Sequence, residues 1–301
     1  MSNSYVRSSN SVLPQLNAKI DRSNQSVQSR EYLNSLPWKA GTTFSSYGLQ
    51  IGIQVNDPDI LMRLPDYLPP GWEPSPSPIV DKLYSLIVAA GNEYYLLYDE
   101  EGELARTTEL DRVLLALDAN LRLYIGTSVR DLLFVHAGVV GWRDRAIVIP
   151  GRSFSGKTTL VAALVKAGAV YYSDEYAVFD STGLVHPYPR ALSIRQESGD
   201  RIKTCPVSEL GGKSGTKPLV VGTIAISHYQ LGSRWHSSSV SQGEALLALL
   251  DNTLVARIRP QFALPILAVA VAEALALKGT RGEADAVAVA LLHQVDELLI
   301  V

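Results

Sequence analysis

The chain has 301 residues, of which 47% are hydrophobic and 19% are charged, and its formal net charge is −3 at pH 7. This composition is typical of a globular protein with a large core, and it excludes the strongly basic surface that general nucleic-acid binding requires. A single cysteine, Cys205, excludes an internal disulfide and a cysteine-based metal cluster.

The first 40 residues are rich in serine, asparagine and glutamine and lack hydrophobic periodicity, so we expect a flexible N-terminal arm over 1–40. The start of the chain lacks the apolar core of a signal peptide. The longest apolar stretch, 266–277, is too short to cross a bilayer. We therefore expect a soluble cytoplasmic protein that binds neither membranes nor nucleic acid.

Residues 41–125 predict a small α/β unit without a recognisable catalytic constellation. Apolar side chains at every second position predict strands, and those at every third or fourth position predict helices. The predicted elements are a strand over 47–55, a short helix over 57–64, an irregular proline-rich connector over 65–78, a strand pair over 83–88 and 93–98, and a helix over 110–121.

Residues 126–301 predict a second, larger α/β domain whose C-terminal third is mostly helical. The predicted strands cover 134–140, 146–149, 169–172, 177–179, 184–188 and 219–226. The predicted helices cover 160–167, 244–254, 262–277 and 285–299. A stretch rich in glycine, serine and lysine over 196–218 predicts a long mobile segment, and long segments of this kind are often functional.

The most informative motif is GRSFSGKTT at 151–159, which we call the phosphate loop. It matches the pattern G-x-x-x-x-G-K-S/T and lies between a predicted strand and a predicted helix. Backbone N–H groups at such a helix start bind polyphosphate, the lysine reaches the β- and γ-phosphates, and the hydroxyl after it binds Mg²⁺. The alternative is a plain turn with an exposed lysine. The predicted nucleotide-binding residues are Gly151, Arg152, Ser153, Phe154, Ser155, Gly156, Lys157, Thr158 and Thr159.

Two acidic residues and one histidine are the candidate partners of this loop. Asp174 and Glu175 follow the next predicted strand, where they can bind Mg²⁺ together with Thr158 or accept a proton. His136 lies in the strand that pairs with the one before the loop, and it can orient an acid such as Asp174. The alternatives are solvated turn acids and a hydrogen-bonded core histidine.

Four arginines are further candidates for contact with a phosphate, although arginines are common on protein surfaces. They are Arg190, Arg195, Arg257 and Arg259.

Taken together, His136 before a hairpin, GRSFSGKTTL, SDEYAVFD and PRALSIR resemble the C-terminal domain of HPr kinase/phosphorylase over about 128–280. That family has a phosphoenolpyruvate carboxykinase-like nucleotide fold. The resemblance implies ATP and Mg²⁺ as ligands and implies catalytic roles for His136, Lys157, Asp174 and Glu175. It also implies transfer of the γ-phosphate to a serine-type hydroxyl, with the acid and histidine pair assisting proton removal.

Some residues differ from that family, and they define the alternatives. Glu175 stands where the family usually has aspartate, and the chain has no copy of the glycine-containing signature of HPr kinases. We therefore expect a divergent kinase acting on another protein, a peptide or a small hydroxyl compound. The alternative is a regulatory protein that binds ATP without transferring phosphate. The oligomeric state stays open, although the resemblance favours a homo-oligomer.

Overall fold

The computed structural model describes residues 17–18, 33, 36–89, 91, 93–152, 155–195 and 202–299. Their contacts divide the chain into two compact units, Met1–Ile125 and Gly126–Val301. Both units combine strands and helices, so the fold class is mixed α/β, as the sequence predicts. Within the described ranges, no helix is both long and apolar enough to cross a membrane.

The first unit is built on a six-stranded sheet. Its elements are β1 (Asn17–Ala18), β2 (Ala40–Ser46), β3 (Leu49–Val55), a 3₁₀ helix (Pro58–Tyr67), β4 (Glu73–Pro74), β5 (Ile79–Val80), β6 (Lys82–Val88), β7 (Tyr95–Tyr98), β8 (Glu103–Thr107) and α1 (Leu110–Ser128). The order in the sheet is β4-β2-β3-β6-β7-β8, and only β3 and β6 are parallel. The helix α1 buries one face through Val113, Leu117 and Leu121, which have helical spacing.

Three predictions for this unit are corrected by the structure. The predicted irregular connector over 65–78 contains the end of the 3₁₀ helix and the strand β4. The strands β2 and β8 were not predicted, because their polar and small residues lack a clear two-residue period. Most of the predicted arm over 1–40 lies outside the described residues. However, Leu36 and Trp38 pack against the cluster of Ile87, Leu96 and Tyr98, so the packed chain begins within that arm.

The second unit is built on a larger mixed sheet. Its elements are β9 (Leu133–Trp142), β10 (Arg145–Pro150), α2 (Lys157–Lys166), β11 (Val170–Ser173), β12 (Tyr176–Phe179), β13 (Val185–His186), β14 (Leu192–Arg195), β15 (Ile202–Cys205), a short 3₁₀ helix (Val207–Leu210), β16 (Val221–Tyr229), β17 (His236–Ser239), α3 (Gln242–Leu250), α4 (Pro260–Val271), β18 (Leu275–Arg281) and α5 (Ala284–Leu299). The sheet order is β13-β12-β9-β10-β16-β18-β17, with β11 also paired to β9.

Helices cover both faces of this sheet, because alternate residues of a strand point to opposite sides. In β10, Ala146 and Val148 join a hydrophobic cluster that includes residues of α3 and α4. Ile147 and Ile149 join a second cluster that includes residues of α2 and α5. The unit is therefore a helix–sheet–helix sandwich, and the strand before the phosphate loop lies at its centre.

A tight hairpin and two parallel neighbours fix the position of the loop. The strands β9 and β10 are antiparallel, as predicted, and Arg143 and Asp144 between them have φ values of 49° and 58°, which suit a two-residue hairpin turn. The strands β10, β16 and β18 are mutually parallel neighbours. Their carboxyl ends therefore lie at one edge of the sheet, which is where open α/β sheets bind ligands.

The helical C-terminal third predicted from the sequence is wrong in part. The predicted helix over 262–277 ends at Val271 as α4, and the strand β18 begins at Leu275. Leucine and alanine favour helices, but here pairing with β16 overrides that local preference. The strand β17 was also not predicted, and it pairs with β18 at the edge of the sheet.

The mobile segment predicted over 196–218 is also corrected. Residues 196–201 lie outside the described residues. The following strand β15 pairs with β14, and a short 3₁₀ helix covers Val207–Leu210. Beyond it, the Gly215 N–H donates to the Tyr171 carbonyl at 2.7 Å, so this stretch is hydrogen-bonded to the sheet.

We expect Gly138→Ala to lower the free energy of unfolding by about 1–3 kcal/mol, because it overpacks the contact between β9 and α2. A Cβ atom at Gly138 would lie 2.6 Å from Val161 Cγ2, and valine has little rotamer freedom in a helix. Urea denaturation measures the change. The matched control is Gly243→Ala, where the nearest atom to the new Cβ is Ser241 Oγ at 3.7 Å. Equal stability losses in the two variants would contradict the proposed packing constraint.

Candidate functional site

The phosphate loop leaves the sheet directly after Pro150, the last residue of β10. The Gly151 N–H donates to the His136 carbonyl at 3.2 Å, and the Ser155 N–H donates to the Arg152 carbonyl at 3.2 Å. Gly156 has a φ of 81°, which glycine adopts without a steric penalty, and α2 begins at the next residue. Of the predicted loop residues, Ser153 and Phe154 lie outside the described part of the chain.

Lys157 is folded into the loop. The residue is only 8% exposed. Its Nζ donates to the carbonyls of Gly151 at 2.7 Å and Arg152 at 2.9 Å. Burial lowers the pKa of Lys157, and the charges of Glu175 and Asp174 oppose this shift. The lysine is therefore not exposed, as the alternative of a plain turn would have it.

Asp174 lies directly beside the start of α2. Its Oδ2 accepts a hydrogen bond from Thr158 Oγ1 at 2.9 Å, and its Oδ1 accepts one from the Tyr171 hydroxyl at 2.9 Å. Asp174 is only 7% exposed, so it is not a solvated turn acid. Burial raises the pKa of Asp174, and the hydrogen bonds from Tyr171 and Thr158 partly oppose this effect.

His136 lies beside Glu175, whereas the sequence suggested Asp174 as an example of its acidic partner. His136 pairs with Tyr176 across β9 and β12, and the two ring centroids are 4.7 Å apart. The distance from His136 Nδ1 to Glu175 Oε1 is 3.8 Å, which suits an ion pair with a protonated imidazole but is too long for a hydrogen bond. Both side chains are half-buried, so they are accessible to a substrate.

The oxygen ligands at this edge fit Mg²⁺ in the presence of phosphate. The described residues contain no group of three or more His, Cys, Asp or Glu side chains that is placed to hold a metal. The Thr158 hydroxyl and the Asp174 carboxylate are adjacent and belong to the hard oxygen class that Mg²⁺ prefers. Mg²⁺ usually takes only one or two protein ligands and keeps waters and substrate phosphates. The donor set therefore fits a metal that arrives with a nucleotide.

The arginines named from the sequence contribute little to this arrangement. Arg259 donates to the carbonyls of Val129 and Arg130, in the loop that precedes β9. Arg257 is exposed, and the Arg195 side chain is outside the described residues. Arg190 acts electrostatically on Asp174, since its charge lowers the pKa of that carboxyl.

A fifth arginine, which sequence reasoning missed, contacts the loop. Arg281 ends β18, and its Nη2 donates to the Ser155 carbonyl at 2.8 Å. Nothing in the sequence around Arg281 indicates a phosphate contact. The helix predicted over 262–277 also overlaps the start of β18, the strand that carries Arg281 to the loop.

No protein-family model matches the chain, and no curated protein matches it. The assignment of function therefore depends on the residues of this edge and their geometry.

We expect Asp174→Asn to raise the melting temperature at neutral pH. A carboxyl whose pKa is raised on folding stabilises the fold at pH values below its unfolded pKa, and this contribution is lost as the pH rises through the folded pKa. The gain of the variant should therefore shrink as the pH falls from neutral toward 3.8, the ordinary value for aspartate. Thermal unfolding followed by circular dichroism across this range measures the difference.

The matched control is Asp296→Asn, for which we expect the opposite sign. Hydrogen bonds from Arg143 and Trp142 lower the pKa of Asp296, so its contribution is present at neutral pH and is lost as the pH falls. If the two variants shifted the melting temperature in the same direction at neutral pH, the cost assigned to ionised Asp174 would be wrong.

Proposed function

We propose that the chain is an ATP- and Mg²⁺-dependent kinase that transfers the γ-phosphate to a hydroxyl, and that it is a divergent relative of HPr kinase. The observation that supports this most directly is the 2.9 Å hydrogen bond between Thr158 and Asp174, next to the buried Lys157. In phosphate-loop enzymes, the hydroxyl of the loop and an acid at a neighbouring strand end bind the same metal ion.

The loop offers the groups that a triphosphate needs. Successive backbone N–H groups at the start of α2 point outward from the helix and carry its partial positive charge. Lys157 supplies a full positive charge, and its present acceptors are two neutral carbonyls. A phosphate oxygen is a stronger acceptor than these carbonyls, because it is charged.

The acids and the histidine have distinct proposed roles. Thr158 and Asp174 would hold Mg²⁺, which would supply positive charge to neutralise the phosphates. Glu175 accepts the proton of the acceptor hydroxyl, and His136 orients and stabilises the Glu175 side chain. Glu175 replaces the aspartate usual in HPr kinases, and its longer side chain still places the carboxylate 3.8 Å from the imidazole.

The proposed reaction is a direct transfer of the γ-phosphate from ATP to the acceptor hydroxyl. The acceptor oxygen forms a bond to the γ-phosphorus, and the bond between that phosphorus and the β,γ-bridging oxygen breaks. The electron pair of the broken bond stays on ADP, and the hydroxyl proton moves to the Glu175 carboxylate. Lys157 and the loop N–H groups stabilise the charge that moves toward the leaving oxygen.

The topology of the second unit supports the proposed fold family. A hairpin, and not a helical crossover, brings the chain into the strand before the loop, and it places His136 beside that loop. We expected this feature from the sequence, in which only five residues separate the two strands. The mixed sheet with α2 and α5 on one face is compatible with the phosphoenolpyruvate carboxykinase-like fold proposed here.

A second candidate function is a regulatory protein that binds ATP without transferring it. The presence of Glu175, where HPr kinases usually have aspartate, favours this candidate. Asp174→Ala distinguishes the two. In a kinase, the variant loses turnover while ATP still binds. If the unmodified protein binds ATP but has no turnover, the regulatory candidate is the better one.

We expect Lys157→Ala to lower ATP turnover by at least about 10²-fold, because it removes a cation that stabilises the transferred phosphate. Turnover is measured with γ-³²P-ATP, as transfer to a pool of serine-containing proteins and peptides and as slow release of labelled phosphate. The control is Lys166→Ala, which changes an exposed lysine in the last turn of the same helix. Unchanged turnover in Lys157→Ala would refute the site.

A further inference from the structure

Arg281 is a buried cation beside the phosphate loop. The residue is 3% exposed, although arginine is almost never fully buried unless it is paired. Its Nη2 donates to the Ser155 carbonyl at 2.8 Å, and its Nε donates to Ser227 Oγ at 3.2 Å. The guanidinium also lies 5.5 Å from the centre of the Tyr229 ring.

The register of the parallel strands explains this position. Tyr229 is paired with Arg281 at the carboxyl ends of β16 and β18, and the phosphate loop follows β10 on the other side of β16. The guanidinium therefore reaches across the end of β16 to the loop. A Cβ atom at Gly156 would lie 2.5 Å from Arg281 Nη2, so the glycine of the motif also makes room for the arginine.

Arg281 lacks a directly bound counter-ion among the described residues, since no carboxylate there forms an ion pair with it and its Nη1 makes no hydrogen bond. Burial lowers the pKa of its guanidinium, and the nearby Tyr229 and Glu283 oppose this shift. Glu283, two residues away, accepts a hydrogen bond from the Tyr229 hydroxyl instead. A buried cation whose direct hydrogen-bond partners are neutral oxygens is energetically costly, and an anion that binds beside it offsets this cost.

We propose that Arg281 is a further cationic residue of the nucleotide site, which holds the Ser155 carbonyl and binds the polyphosphate of the nucleotide. This inference rests on the proposed function, since it assigns a further residue to the same site. Lys157 then binds the polyphosphate from the start of α2, and Arg281 binds it from the end of β18. The guanidinium presents several N–H groups in a fixed plane, which suits phosphate oxygens better than a point charge does.

The test compares Arg281→Met, Arg281→Lys and Lys157→Ala with the unmodified protein. Dissociation constants for ATP and for inorganic tripolyphosphate are measured by calorimetric titration, and melting temperatures are measured without either. We expect Arg281→Met to weaken both ligands by about tenfold or more, the factor that one lost hydrogen bond to a charged group produces. Its melting temperature should stay unchanged or rise, because a buried charge is removed.

Arg281→Lys should bind with intermediate affinity, because it keeps the charge and loses the planar fork. If Arg281→Met does not fold, the affinities of Arg281→Lys test the role of Arg281 instead. The control is Arg234→Gln, which changes an exposed arginine of the same unit and should bind both ligands as the unmodified protein does. A purely structural arginine would lower the melting temperature on substitution and leave the two affinities equal to those of the unmodified protein.

The failures of the two proposals are distinguishable. If Lys157→Ala weakens binding while Arg281→Met and Arg281→Lys bind normally, the role of Arg281 is wrong and the nucleotide site stands. If the unmodified protein binds neither ATP nor tripolyphosphate, both proposals are wrong.

Discussion

Burial of three charged side chains at one sheet edge is the constraint on which the rest of this structure depends. Lys157, Asp174 and Arg281 are all buried. Each forms hydrogen bonds mainly with neutral carbonyl or hydroxyl groups. Charges in such surroundings lose much of their hydration and gain little in return. The edge is therefore a costly part of the fold, and such cost is typical of a site organised for a charged ligand.

The hydrophobic layers on both faces of the sheet offset this cost. The central strand β10 buries every residue from Ala146 to Pro150, which fixes where the loop leaves the sheet. On one face, α2 packs tightly enough against β9 that a glycine, Gly138, is needed at the contact. The start of α2 is therefore held by the core, and the backbone N–H groups at that end do not depend on a ligand for their orientation.

Local patterns in the sequence predicted the local part of the site. The loop motif, the hairpin before it and the acids after the next strand are each short-range features, and the structure brings Thr158 and Asp174 together. For His136, the sequence named Asp174 as an example of an acidic partner, and the structure places Glu175 Oε1 3.8 Å from its Nδ1. Successive residues of an extended chain point to opposite sides, so a shift of one residue exchanges the neighbours.

Long-range pairing explains what the sequence did not predict. Leu275, Ala276 and Leu277 favour a helix locally, yet they form a strand because β16 offers them hydrogen bonds along the sheet. With that strand assigned as helix, Arg281 could not be placed beside the loop. The strands β2 and β17 were missed for a related reason, since serine, threonine and glycine carry little hydrophobic period and only the partner strand identifies them.

The separation of Arg281 from the other site residues along the chain has a consequence for biosynthesis. His136, the loop and the two acids emerge from the ribosome within one short stretch, and their contacts close small loops, which form quickly. The arginine emerges only after β16, α3 and α4. Under the role proposed for Arg281, a nascent chain would hold the phosphate loop without this arginine until β18 docks beside β16.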